Sequence, residues 1–203
     1  MPKLGEERRE ERRRQLLDAA WRCAARKGYH DTTVDDICAE AGVSKGAFYG
    51  YFDSKQSLLV ALLEEDGVEL DRIMARLDST ETRAVQRLRE FSHAMLERGA
   101  DSGRVQISSD IWAVVLTEGD LHDRVAAVIG RRRAVLKRWI EEAVGKGELY
   151  LDNAPANAFA SLLLALGDGL TLHGSLDPLA FRWRNIARAL DALLTRAERD
   201  QPG

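Results

Sequence analysis

Proline fixes φ and removes a backbone donor, so its placement bounds where long helices can run. In this chain of 203 residues, prolines stand only at Pro2, Pro155, Pro178 and Pro202, which leaves Lys3 to Ala154 open to uninterrupted helix. Strict alternation of apolar and polar residues is confined to the brief Glu148–Leu151, so no strand is expected. The expected fold is all-α. Hydrophobic residues make up 45% of the chain and charged residues 31%, enough apolar surface for a packed core and too much for a disordered chain.

Helix signals divide the chain. Leu16, Leu17, Ala20, Cys23 and Ala24 recur at helical spacing between Glu7 and Lys27, and Gly28 follows the basic Arg26 and Lys27 as a helix stop. Thr33, with Asp36 three residues on, forms an acidic capping box that opens a short helix through Ile37, Cys38 and Ala41, ended by Gly42. Ser44 caps a second short helix running to about Tyr51, and Asp53 with Gln56 caps a third over residues 54–78. That third helix carries a stripe of Leu59, Leu62, Leu63, Leu70, Ile73, Met74 and Leu77. At ~1.5 Å per residue it is long enough to join two packing units. Further helices are expected at 81–98, 104–118, 120–145, 156–173 and 179–197, with breaks at Gly99, Gly119, Gly145, Gly147, Gly174 and Pro178. The expected organisation is an N-terminal three-helix domain over 7–53, a linking helix over 54–78 and a C-terminal helical domain over 79–197.

The segment Thr33–Phe52, TVDDICAEAGVSKGAFYGYF, meets the demands of a helix-turn-helix. Two short helices that cross steeply need a small residue at the crossing, which Cys38 or Ala39 supplies, and a glycine at the turn, which is Gly42. Ile37, Ala41, Val43, Phe48 and Tyr51 pin the pair to a core. The helix from Ser44 then presents Ser44, Lys45, Gly46, Ala47 and Tyr49 outward, as an occupant of a DNA major groove does. Gly46 and Ala47 permit close approach, Lys45 can donate to guanine O6/N7, and the Ala47 methyl can meet a thymine methyl. Thr33, Tyr49 and Lys55 suit phosphates, the last from the positive N-terminus of the linking helix.

From Leu16 to Leu59 the string LLDAA…GYHDTTVDDICAEAGVSKGAFYGYFDSKQSLL resembles the DNA-binding domain of the TetR family of transcriptional regulators almost position for position. It departs from the usual pattern at Cys23, Cys38 and Gly50, and the last of these bears on base preference. The C-terminal part matches more loosely, with Trp112, Arg131–Arg138, the Gly145–Leu149 turn and LLLALGDGLTLH at 162–173 similar to the betaine-regulator subgroup. The resemblance implies a ligand-responsive regulator that binds a palindromic double-stranded operator as a homodimer, most simply a repressor released by a small-molecule effector. It also implies a ligand cavity among the central helices, for which Phe91, Met95, Trp112, Leu116, Phe159 and Leu163 are the candidate lining residues, so the effector is expected to have apolar character. The last two helices are expected to form the dimer through Leu166, Leu170, Ile186, Leu190 and Leu193. An activator is the alternative within regulators, and a helical enzyme or ligand carrier with an idle head is the rival from another class.

Net charge is −3, so a nucleic-acid contact must be local; residues 12–55 carry eight Lys/Arg against six Asp/Glu, and 56–203 carry 19 against 23. No nucleophile–base pair, phosphate loop or close ligand pair stands out, so neither catalytic residue, metal site nor cofactor is expected. His93, His122 and His173, with Asp110 and Asp123, are more simply satisfied or exposed polar groups than ligands. Cys23 and Cys38 fall on core faces and behave as small hydrophobes rather than as a redox pair. The basic run Arg8–Arg14 is a candidate to reach a phosphate or the minor groove, but Glu6, Glu7, Glu10 and Glu11 offset much of its charge, and the spacing of Glu10 to Arg13 and Arg14 reads more simply as surface pairing. Residues 6–14 are charged, unlike a secretory leader, and the longest apolar run, about Ala158 to Gly167, is short of the ~20 residues of a membrane span. A cytoplasmic protein is expected.

Overall fold

The computed structural model of the chain describes residues 3–100, 112, 114–117, 119–177, 179 and 181–199. It divides into two compact units, Met1–Gly67 with Ser102–Leu121, and Val68–Asp101 with His122–Gly203. No strand occurs among the described residues. The expected segment 104–118 lies mostly outside them.

The first unit contains α1 (Lys3–Lys27), α2 (Val34–Ala41), α3 (Lys45–Tyr49) and the first half of α4 (Lys55–Asp78). α1 begins ahead of Glu7 because its opening turns are charged and exposed, and so leave no mark on the apolar pattern. α1 packs on α2, and α2 on α3. Leu16, Leu17, Ala20, Ala24, Ile37, Phe48, Leu58 and Leu62 are fully buried there. The small residue at the crossing is Cys38, which is buried; Ala39 faces solvent. α4 is capped one residue later than Asp53 and Gln56 suggest. The Ser57 amide donates to Ser54 Oγ at 3.0 Å and the Ser54 amide to Ser57 Oγ at 3.1 Å. Both pairs have capping-box spacing, and spacing alone does not rank them.

The second unit holds the rest of α4, α5 (Ala84–Gly99), most of α6 (Gly119–Gly145), α7 (Ala156–Leu176) and α8 (Trp183–Arg199). Its core gathers Leu70, Met74 and Leu77 from α4, Val85, Leu88 and Phe91 from α5, Leu136, Trp139 and Ile140 from α6, and Ala160 and Leu163 from α7. Phe91 meets the edge of Trp139 with ring centroids 6.4 Å apart. A polar clasp closes the end of α4. Asp78 accepts from Trp139 Nε1 at 2.7 Å and from Arg138 at 2.6 Å, and those bonds hold its carboxyl below the usual carboxylate range. The buried Arg87 lies beside Asp78, pairs with Glu142 and covers the Trp139 ring. α5 lacks a side-chain cap of its own, and Glu148, distant in sequence, accepts from the Val85 amide at 3.1 Å instead.

α5 packs on α7 and α8. Their approach is close where side chains are missing. A Cβ on Gly174 would stand 2.7 Å from the Trp183 ring and 3.1 Å from Phe181, whereas one on Gly130 would meet nothing within 4 Å. Gly174→Ala is therefore expected to destabilise by about 1–3 kcal/mol through overpacking. Gly130→Ala should gain about 0.5–1 kcal/mol from lower unfolded-state entropy. Chemical denaturation of both variants reads the contrast; equal midpoints would contradict this packing.

Candidate nucleic-acid interface

The reading head is built from caps inward. Thr33 Oγ1 accepts from the Asp36 amide at 3.2 Å while the Thr33 amide donates to Asp36 Oδ2 at 2.7 Å, the reciprocal box expected from the sequence. Lys27 also donates to Asp36 at 2.7 Å, and that bond, with those from Thr33, drives the Asp36 carboxyl far below its ordinary range. Arg22 and Arg26 hold Glu40 at 2.7 and 2.6 Å, and Gln15 donates to the Ala41 carbonyl at 2.8 Å. α2 is thus fastened to α1 along its length. Gly42 takes φ +64°, a left-handed conformation that side chains resist, and the Val43 amide closes on the Cys38 carbonyl at 3.0 Å.

That turn delivers Ser44, whose Oγ accepts from the Ala47 amide at 3.1 Å and starts α3. Phe48 is wholly buried, edge-to-face with Tyr49 and tilted against Phe52. With Phe48 inward, Ser44, Lys45 and Gly46 are exposed, Ala47 is half-buried and Tyr49 is 53% exposed. A Cβ on Gly46 would meet only Ser44 Oγ, at 3.8 Å, so the backbone there is open to close approach. These five residues share one outward surface, with Thr33 exposed at the start of α2.

Two of the cations are already engaged. Lys45 pairs with Asp35 at 2.8 Å, which raises the lysine's pKa. Lys55 donates to the His30 carbonyl at 2.9 Å and sits 4.7 Å over the Tyr29 ring, while the Tyr29 hydroxyl donates to the Lys55 carbonyl. Lys55 therefore braces the Tyr29 loop to the start of α4 in this structure. The restraint of Lys45 by Asp35 was missed in the sequence, although Asp35 stands next to Asp36 in the capping box. Cys23 and Cys38 are buried, and burial pushes both thiols up, away from reactive thiolates.

The other candidates fall in different places. Phe91 and Leu163 are packed in the second unit's core, with Met95 and Phe159 partly buried against it. Trp112 and Leu116 belong to the first unit and are exposed by 36% and 71%. Of the expected dimer residues, Leu190 is buried in a cluster with Leu96 of α5 and Leu194, Leu166, Leu170 and Ile186 are partly buried against it, and Leu193 is exposed. α7 is apolar nearly all round, so its composition could not say which face is inward. Gly167 and Gly174 decide it by packing under Met95 and Trp183. The outward face of α7 carries Leu162, Ala165, Gly169, Leu172 and Leu176, a 3-4-3-4 spacing that was readable in the sequence. Among the described residues, no group of three His, Cys, Asp or Glu is placed to hold a metal ion, and no helix is long and apolar enough to cross a membrane.

A capped recognition helix behind a glycine turn, carried at the start of a long helix, defines a helix-turn-helix DNA-binding protein. Comparison with known proteins gives the family. Residues 16–62 match the model of bacterial regulatory proteins of the tetR family, and residues 84–197 match that of the BetI-type transcriptional repressor C-terminal domain. The regulator BetI of Escherichia coli is 32% identical over 186 residues, covering 87% of this chain and 88% of its own. The regulator PksA of Bacillus subtilis is 26% identical, covering 89% and 87%. A crystal structure of a TetR-family regulator from Pectobacterium atrosepticum superposes with a TM-score of 0.68 at 25% identity, covering 93% and 94%. The chain belongs to the TetR family and is a transcriptional regulator with a DNA-binding helix-turn-helix.

The Lys45–Asp35 pair yields a direct test of the surface. Asp35→Asn frees Lys45 and removes a negative charge beside it, so duplex DNA should bind more tightly, whereas Lys45→Ala should bind more weakly. Fluorescence anisotropy with labelled duplex measures both; a loss of affinity in Asp35→Asn would contradict the arrangement.

Proposed function

We propose that this protein is a ligand-responsive repressor that holds a near-palindromic operator as a homodimer and lets go when a small molecule binds its C-terminal domain. The observation that carries the DNA half is the outward surface of Ser44, Lys45, Gly46, Ala47 and Tyr49, held in place by the buried Phe48. Thr33 and Tyr49 serve phosphates, and Lys45 and Ala47 meet base edges. Lys55 contributes mainly by bracing the head, and reaches a phosphate only by leaving the His30 carbonyl. The repressor reading is supported by the match of the second unit to a repressor domain.

Dimerisation is supported by the exposed heptad stripe of α7. Leu162, Leu172 and Leu176 are exposed by 59%, 49% and 74%, and Leu193 of α8 by 67%. Apolar residues at this spacing form a seam that another helix covers, and a second copy of the chain supplies one by symmetry. A dimer sets two recognition helices about 34–36 Å apart, which calls for a palindrome. The effector, of apolar character, binds in the second unit beside Met95 and Phe159, two of the partly buried residues packed against its core. It favours a conformer in which α4, continuous from one unit to the other, carries the heads at the wrong spacing.

Selection of random duplex DNA on the purified protein tests this reading. A palindrome should be enriched, and Tyr49→Ala should bind it more weakly without losing stability. Leu172→Arg with Leu193→Arg should sediment as a monomer and lose the palindrome. A dimeric double variant moves the seam elsewhere, and no enrichment at low salt by the wild type would refute DNA recognition.

A further inference from the structure

The opening turns of α1 are exposed from Gly5 to Arg12 and contribute nothing to the core. Their sequence, Glu6-Glu7-Arg8-Arg9-Glu10-Glu11-Arg12-Arg13, offers opposite charges at i,i+3, as in Glu10 with Arg13, but like charges at i,i+4. Pairs of like charge repeat every four residues, so the i,i+4 neighbours are Arg8 with Arg12, Arg9 with Arg13, Glu6 with Glu10 and Glu7 with Glu11. Each such pair costs a helix rather than helping it. The expected surface pairing is accordingly thin: of the Glu10 pairings, Arg13 is at 3.7 Å, and no ion pair is formed by Arg8 or Arg9 among the described residues.

What the pattern does produce is a helix with two faces. The arginine and glutamate pairs are offset by two residues, roughly 200° of turn at 3.6 residues per turn, so arginines gather on one side and glutamates on the other. The structure fixes which side is which. Arg9 lies over the Tyr51 ring at 5.9 Å and Arg13 over the Phe52 ring at 5.8 Å. Tyr51 and Phe52 follow directly on the recognition helix, beyond the exposed Tyr49. The arginine face therefore starts beside the end of α3; Glu10 borders it through Arg13, while helical spacing puts Glu7 and Glu11 on the opposite side.

We propose that Arg8, Arg9 and Arg12 form a second, sequence-independent contact to the phosphate backbone of duplex DNA, flanking the groove that α3 reads. This rests on the DNA-recognition reading above. Guanidinium groups suit phosphate oxygens through paired donors, and the ring contacts of Arg9 and Arg13 orient the segment before DNA arrives. The opposed glutamates keep the same segment from gripping polyanions on all sides, in keeping with a net charge of −3.

The test compares R8Q/R9Q/R12Q with the wild type on the duplex enriched by selection, titrating salt. Each phosphate that is no longer neutralised should make the plot of log K against log salt shallower by about 0.9, so the slope per head should fall by about two or more while the enriched sequence stays the same. The triple lysine variant should recover most of the slope, and E7Q/E11Q, on the opposite face, should not lower it. Thermal unfolding of each variant confirms the fold. A triple glutamine variant with the wild-type slope would overturn this proposal and leave the recognition surface intact; a wild type that binds no duplex would overturn both.

Discussion

α3 is five residues long, and a helix that short does not persist in water on its own. The interaction on which everything else rests is therefore the burial of Phe48 against the core of α1 and α2, assisted by the Ser44 cap. With Phe48 inward, helical geometry leaves Lys45, Gly46 and Tyr49 outward, and there is no separate decision to be made about the reading surface. Gly42 allows the chain to reverse tightly enough for Phe48 to reach that core, and the bonds from Arg22, Arg26 and Gln15 keep α2 where the turn needs it. Packing on one face of α3 is what makes function on the other possible.

The same logic operates at the far end of α4. Its N-terminus is tied by the serine box and by Tyr29 and Lys55, and its C-terminus by Asp78 to Trp139 and Arg138. Those bonds are directional, and the one from the buried Trp139 indole fixes the end of α4 against α6 more specifically than apolar contact alone.

Legibility in the sequence followed how local each determinant is. The Thr33–Asp36 box, the Gly42 turn and the Ser44 cap are written within four residues of themselves, and the structure forms them as read. The α4 cap was misplaced by one residue because two pairs, Asp53–Gln56 and Ser54–Ser57, share one spacing. Which face of α7 packs on its own chain is less legible for a different reason: a helix apolar nearly all round carries little inward signal of its own, and its orientation is set by glycines that matter only once Met95 and Trp183 are present. Lys55 illustrates a further limit, since its partners, His30 and Tyr29, lie 25 and 26 residues away. The charge pattern of α1 was visible from the start, and its direction became meaningful only when Arg9 was seen on Tyr51.

The central claim is that two copies of this head read one face of a duplex, and hydroxyl-radical footprinting of the bound operator addresses it most directly. The account predicts two protected stretches, centred about 10–10.5 base pairs apart on the same side of the helix. A single protected stretch, or two on opposite faces, would contradict it.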